Sequence, residues 1–342
     1  MENAPQNIHE ILRSRAEKNG GALSFRDFSE IALFAPRFGY YTRKKLRVGR
    51  AAGTDFYTAA SLGSVFARLV RCAAQNLLGV SAEELRAFTL VEIGAEPEQQ
   101  NFASQSEFFR EIRCARLGDA FEIPENAVVV ANELLDAQPF YRLVSHAGTW
   151  REIGVAESPQ ERCSWHEILL EKFSSPGIEA FAKTLPPLPD GNVDDGRHID
   201  ISLDAETLLE SILLKARGRC VAIFFDYGKT LDDCLESFPE GTARAYFRHT
   251  QNSALTDAPG EQDLTCHVFW DRLARVFEKC AFRAQKTLRQ ESFFMKFALP
   301  EIAKIVESRA PEASRERGVL TELIHPSKMG HAFQVLAGTK TV

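Results

Sequence analysis

Three polar stretches combine residue types and spacings that could do chemistry. In Asn132-Glu133-Leu134-Leu135-Asp136-Ala137-Gln138-Pro139, two carboxylates lie three residues apart directly after an apolar run. If a helical turn opens there, Glu133 and Asp136 share one face. Paired carboxylates hold a cationic group by charge-assisted hydrogen bonds or accept a proton from it. The same residues also suit a turn capped by Asn132, with its acids solvated near a helix N-terminus. The loop G-T-D-F-Y-T, Gly53 to Thr58, puts Asp55 and Thr58 just ahead of an apolar-periodic helix. There they contact a small polar ligand, or they make the turns that start the helix. Asp263, Thr265 and His267 share a face if their segment is a strand. With His249 they hint at a metal, but the spacing lacks a tight ligand pair with a third ligand. The expectation is structural hydrogen bonding and no metal.

Elements that would position these groups follow from hydrophobic period. Residues 5–35 read as helix, with Ser24-Phe25-Arg26-Asp27 as a helix start. Residues 61–78 form a second helix through Leu62, Phe66, Leu69, Val70, Ala73 and Leu77. Phe88 to Ile93, Ala127 to Ala131 and Cys220 to Phe225 are continuous apolar runs that read as buried strands. Residues 140–155 alternate around Ala147-Gly148 like a hairpin. Residues 184–198, rich in Pro, Gly and Asp, read as a loop, and 204–216 as a helix. A last helix is expected near 300–317, followed by two closing strands over 319–337. Buried strands separated by helices predict an α/β fold with a largely parallel sheet. In such sheets ligands bind beyond the carboxyl ends of the strands. Three of those ends carry polar residues: Glu92-Ile93-Gly94, Asn132-Glu133 with Asp136, and Asp226-Tyr227-Gly228.

Composition narrows the function classes. Among 342 residues, 41 basic and 47 acidic side chains give a net charge of −6. That balance disfavours general binding to nucleic acid or an anionic membrane. The basic run Arg43, Lys44, Lys45, Arg47 and Arg50 reads as a solvated loop. No apolar run approaches the ~20 residues that cross a bilayer, and the first ten residues resemble no secretory leader. Seven scattered cysteines without a C-x-x-C pair argue for a reducing compartment. The expectation is a cytoplasmic protein, without membrane insertion, whose oligomeric state is not legible. The absence of G-x-G-x-x-G after a strand speaks against a nucleotide-binding oxidoreductase.

Taken in order, the motifs resemble the MidA-like family of S-adenosylmethionine-dependent methyltransferases. The residues that carry the resemblance are G-Y-Y (Gly39 to Tyr41), G-T-D-F-Y-T with Ser61 and Phe66, V-E-I-G (Val91 to Gly94) and N-E-L-L-D-A-Q-P. Further along come F-D-Y-G (Phe225 to Gly228), G-T-A-R-A-Y (Gly241 to Tyr246) with His249, D-L-T-C-H-V (Asp263 to Val268) and Met329-Gly330 before F-Q-V-L. The mitochondrial members are protein arginine methyltransferases that assist assembly of respiratory complex I. The resemblance implies a class I methyltransferase-like, Rossmann-like doubly wound sheet of seven strands, with an N-terminal helical region and insertions. Residues 1–60 would form that helical region and 61–342 the methyltransferase-like domain, with an insertion around 157–200. It implies S-adenosyl-L-methionine as cofactor, with Glu92 and Gly94 at its methionine end and Asp55, Thr58 and Asp119 as further contacts. Asn132, Glu133 and Asp136 would line the place where methyl donor and acceptor meet, the acceptor being a protein, at arginine as in the mitochondrial members.

The sequence departs from the family's glycine-rich turn. In E-I-G-A-E-P-E, Glu96 and Glu98 stand where the second and third glycines belong, and Pro97 removes a backbone donor between them. Only 35 positions separate Glu92 from Ala127 (127 − 92), which barely holds two intermediate strands with their helices. Phe109 to Leu117 is the one strand candidate there. Two functions remain open: an active methyltransferase, or a catalytically silent relative that binds or assembles a partner.

Overall fold

The computed structural model describes residues 5–43, 63–96, 99–186, 195–247 and 250–341. Asp55, Thr58, Pro97, Glu98, His249 and the basic run beyond Arg43 lie outside the described residues. The chain divides into two compact units. One comprises Met1–Arg47, Asp136–Thr207 and Lys229–Phe269, and the other Val48–Leu135, Leu208–Gly228 and Trp270–Val342.

The second unit is built on a seven-stranded sheet. Its strands are β1 (Thr89–Ile93), β2 (Glu111–Ala115), β3 (Ala127–Asn132), β4 (Cys220–Asp226), β5 (Arg283–Ala284), β6 (Leu288–Arg289) and β7 (Gln334–Lys340). The order is β5-β7-β4-β3-β1-β2, and β6 also pairs with β7. β1 runs parallel to both β2 and β3, β3 runs parallel to β4, and β7 is antiparallel to β4. The chain therefore leaves β1 toward one edge and returns to its other side. This reversal is a topological switch point, the usual ligand crevice of such sheets.

Every residue of β1 and β4 is buried, which explains their unbroken apolar runs. Helices α1 (Ser64–Leu78), α2 (Trp270–Lys279), α3 (Gln290–Phe297), α4 (Leu299–Glu307) and α5 (Ala313–Ile324) accompany the sheet. Phe66 of α1 meets Phe225 of β4 edge-on with ring centroids 5.2 Å apart, and Leu320 and Leu323 of α5 join the same core. Phe277 of α2 packs edge-on against Phe224, with centroids 6.0 Å apart. Since Phe224 and Phe225 point to opposite sides of β4, helices cover both faces.

Between β1 and β3 there is one strand, β2, inside the candidate segment Phe109 to Leu117; a short 3-10 helix, Ala103–Phe108, precedes it. The sheet reaches seven strands through the short β5 and β6. Two expectations are corrected here. Residues 319–337 do not form two closing strands. Val319, Leu320, Leu323 and Ile324 follow helical spacing within α5, and only Gln334–Lys340 is extended. The helix expected near 300–317 is likewise two helices, α4 and α5, separated by a break around Pro311.

The first unit contains the helices Ile8–Lys18 and Phe25–Phe34, the latter capped by Ser24, whose side chain accepts the Asp27 N–H. It also holds an antiparallel sheet in which Tyr141–His146 and Thr149–Glu157 form the expected hairpin. Ala147 and Gly148 turn it with φ of 49° and 73°, the paired positive values of a type I′ turn. In this unit Asp200, 1% exposed, accepts the Thr242 and Ala243 N–H groups at 2.7 Å each. It also lies 2.9 Å from Nε of Arg142. One carboxylate thus anchors the start of G-T-A-R-A-Y.

Candidate functional site at the carboxyl ends of the parallel strands

β1 delivers Glu92 and Gly94 to the switch point. Glu92 is 5% exposed and accepts a 2.6 Å bond from the Asn101 side-chain amide and a 3.6 Å contact from the Cys114 thiol. Burial pushes its carboxyl above the usual range, while these two donors pull it down. Burial and the neighbouring Glu92 charge in turn push the Cys114 thiol up to about 11. Gly94 has φ of +81°, and a Cβ there would lie 2.9 Å from Cδ1 of Leu134. The turn after β1 thus packs so closely on the turn after β3 that only glycine fits without displacement.

β3 delivers Asn132 and Glu133. No helical turn opens after the strand, so the condition under which Glu133 and Asp136 share one face is not met. Glu133 instead has φ of +51°, a left-handed conformation that costs a non-glycine residue roughly 1–2 kcal/mol. Its backbone N–H is held by the Phe225 carbonyl at 2.9 Å. Its carboxylate accepts a 2.8 Å bond from the Asn132 amide. The Asn132 Oδ1 atom is buried and has no hydrogen-bond partner among the described residues.

β4 ends in Asp226, which sequence reasoning quoted in F-D-Y-G without assigning it to the site. Its carboxylate, 1% exposed, accepts the Leu135 N–H at 2.8 Å and the Tyr227 N–H at 2.9 Å. It pins the far end of the N-E-L-L turn, so the strained Glu133 is held from both sides. Asn101 and Cys114, the partners of Glu92, carried no signal in the sequence; only the fold brings them to β1.

The remaining candidates are placed separately. Asp136 falls in the first unit, where it is 4% exposed and its carbonyl accepts the Cys266 N–H at 3.1 Å. In the same unit the Tyr41 hydroxyl donates to the Asp263 carboxylate at 2.9 and 3.0 Å. Burial, with Asp263 and Asp136 nearby, pushes the Tyr41 phenol well above its ordinary value. Three motifs distant in sequence, G-Y-Y, the end of N-E-L-L-D and D-L-T-C-H-V, therefore meet there. Asp119 is exposed, and its carboxylate accepts the Arg116 N–H at 2.9 Å, closing a turn. His267 lies beyond the strand Asp263–Thr265 rather than on its face, and its backbone N–H donates to Thr242. No group of three His, Cys, Asp or Glu side chains capable of holding a metal occurs among the described residues. None of their helices is long and apolar enough to cross a membrane.

Comparison with known proteins gives these strand ends a context. The structure is similar to the crystal structure of a Burkholderia thailandensis protein bound to S-adenosyl-homocysteine. The TM-score is 0.78 at 22% identity, covering 97% of this chain and 92% of that one. A native structure from the same organism gives a TM-score of 0.77 at 21% identity, covering 97% and 91%. None of the curated proteins searched matches the chain. The fold is therefore α/β, the class I methyltransferase-like doubly wound sheet. Residues 63–287 match a family model described as putative S-adenosyl-L-methionine-dependent methyltransferase, and the chain belongs to that family.

Proposed function

We propose that this chain transfers the methyl group of S-adenosyl-L-methionine to a nitrogen of a protein substrate, an arginine guanidinium being the acceptor that best suits its acids. The observation that carries this reading is the left-handed Glu133, tied to Asn132 at the switch point. Strain at a carboxylate persists only where surrounding structure over-determines it, and such positions cluster at functional sites.

The residues at the strand ends fit an S-adenosyl group in their chemistry. Gly94 lets the chain turn tightly beside the crevice, and the unpartnered Asn132 Oδ1 suits an N–H donor such as an ammonium or guanidinium. When bound, the cofactor supplies a sulfonium methyl, open to in-line displacement. The protein's contribution is then chiefly positioning. Glu133 orients the acceptor nitrogen through charge-assisted hydrogen bonds, leaving its lone pair for the methyl. Asp226 keeps Glu133 in register through the Leu135 N–H. The resemblance to MidA-like proteins favours a protein acceptor, and the absence of a basic excess agrees with an acceptor that is itself cationic.

A second reading, a relative that holds a protein partner without turnover, draws on β2. The strand closes at Ala115 and Arg116 follows, where an acidic residue commonly meets the cofactor ribose. Labelled-methyl transfer from S-adenosylmethionine to protein fractions, parent against Glu133→Gln, separates the two. Label transferred by the parent and lost in the variant supports the first. A parent that binds the cofactor yet labels no fraction, while retaining a partner protein, supports the second.

A further inference from the structure

Helix α2 lies on the sheet face opposite α1 and packs on it through Phe277, whose ring meets Phe224 with centroids 6.0 Å apart and would meet a Cβ on Gly338 at 2.5 Å. Its C-terminal end runs into β5, where Arg283 pairs with Thr339 near the end of β7. The N-terminal end therefore points toward the carboxyl end of β4. Trp270 comes seven residues before Phe277, about 10 Å along the helix. That brings it to the level of Asp226 and Gln334, which pair across β4 and β7. Trp270 is 3% exposed, on the same buried side of α2 as Leu273 and Phe277. Gln334 shares its sheet face with Leu336 and Gly338, the face that α2 covers. The indole Nε1 of Trp270 and the amide Oε1 of Gln334 are both buried without a hydrogen-bond partner among the described residues. Helix and sheet thus bring one neutral donor and one neutral acceptor to the end of the sheet where Asn132 and Glu133 stand.

These two atoms select the ligand. A carboxylate offers no hydrogen to Gln334 Oε1, and an ammonium offers no acceptor to Trp270 Nε1. The group that satisfies both is neutral and carries an acceptor and an N–H together, as a peptide unit does. Distance ties it to the reacting side chain. Asn132 pairs with Phe225 on one side of β4 and Gln334 with Asp226 on the other, so two strand spacings, about 10 Å, separate them. An extended arginine holds its guanidinium about 6 Å from its Cα, and a hydrogen bond at each end makes up the rest. We propose that Trp270 and Gln334 hold a backbone peptide group of the protein acceptor while Asn132 and Glu133 hold its guanidinium. The indole donates to the peptide carbonyl, and the glutamine oxygen accepts the peptide N–H. This subsite favours arginine within a polypeptide over small guanidines. The proposal rests on the methyltransferase reading above and adds how the acceptor's main chain is recognised.

The test is calorimetric titration of the full chain, first with S-adenosylhomocysteine and then, once loaded, with two probes. N-acetylarginine N-methylamide carries the guanidinium and flanking peptide groups; butylguanidine carries the guanidinium alone. The proteins are the parent, Trp270→Phe and Gln334→Met, since each substitution keeps an apolar body of similar shape and removes only the donor or the acceptor. The expected result is that the parent binds the amide probe about tenfold tighter than butylguanidine. Each variant brings the amide probe to within about threefold of butylguanidine, with butylguanidine and S-adenosylhomocysteine held as tightly as by the parent. A parent that binds S-adenosylhomocysteine but holds both probes alike, or neither, overturns the subsite and leaves the methyltransferase reading standing. Variants that keep the parent's preference do the same, and so do variants that weaken both probes and S-adenosylhomocysteine together, which shows a structural role. A parent that does not bind S-adenosylhomocysteine overturns the methyltransferase reading, and the subsite with it.

Discussion

Asp200 offers the sharpest test of how the first unit is held together. Its carboxylate receives two backbone N–H groups at 2.7 Å and faces Arg142 at 2.9 Å, and the Arg142 side chain is only 9% exposed. Asp200→Ala leaves two buried donors without their acceptor, at about 1–3 kcal/mol each. It also removes one partner of a buried ion pair, at about 3–5 kcal/mol. These terms overlap, and Arg142 keeps Glu167 at 2.5 Å, so the expected loss is about 4–6 kcal/mol. That is a large part of the ~5–15 kcal/mol that holds most domains folded. Asp200→Asn retains one acceptor oxygen and should lose about half as much. Urea unfolding followed by fluorescence of Trp150 and Trp165, both in this unit, reads the difference. A loss below about 1 kcal/mol in Asp200→Ala would refute the reasoning, because the anchored N–H groups would then have found water or another acceptor at little cost.

Three further outcomes are expected. Glu133→Gly should relieve the left-handed strain at φ +51°. After the entropy that glycine adds to the unfolded chain, this gains about 0.5–1 kcal/mol of stability, while methyl transfer falls at least 100-fold; thermal melts and labelled-methyl transfer read the two effects, and equal activity would end the assignment of Glu133. Gly94→Ala brings a Cβ to 2.9 Å from Leu134 at φ +81°, so it should destabilise the second unit by about 1–3 kcal/mol and weaken S-adenosylhomocysteine in calorimetry. Burial, with Lys229 and Arg244 nearby, lowers the His267 imidazole to about 4, and burial also lowers His9, whose Nδ1 accepts the Trp165 indole N–H at 3.1 Å. The unfolded chain therefore binds these protons more readily than the folded one. Their stabilisation is complete above pH ~6.5 and lost as pH falls toward 4, by about 3 kcal/mol for His267. Urea midpoints measured across that window should drop in the parent and drop less in His267→Phe.

The correct and incorrect expectations have identifiable physical origins. β1, β3 and β4 were legible because burial on both faces requires an uninterrupted apolar run, which needs no partner to be recognised. Ala147-Gly148 was legible because a two-residue hairpin needs two positive φ values. Residues 319–337 were misread in their first part only: Gln334–Lys340 is the one closing strand, while Val319-Leu320 and Leu323-Ile324 belong to α5. Their spacing of four is equally that of a helix, and packing against α1 and α3 decides for the helix. Of the two arrangements open at Glu133 and Asp136, the helical turn does not form, because the Phe225 carbonyl and the Asp226 carboxylate, both about 90 residues away, claim the backbone N–H groups of Glu133 and Leu135.

Local periodicity and composition by themselves determined the α/β class, the three central strands and the polar character of their carboxyl ends, properties that depend on residues within a few positions of one another; the resemblance to a methyltransferase family rested instead on motifs in order from Gly39 to Leu336. Tertiary structure alone decided that Glu92 is gripped by Asn101 and Cys114, that Asp226 pins the turn carrying Glu133, and that the sheet stops at β2. Each of those pairings closes a loop of 9 to 91 residues between groups whose local sequences carry no record of each other. Only the order of strands in the sheet brings them within hydrogen-bonding distance.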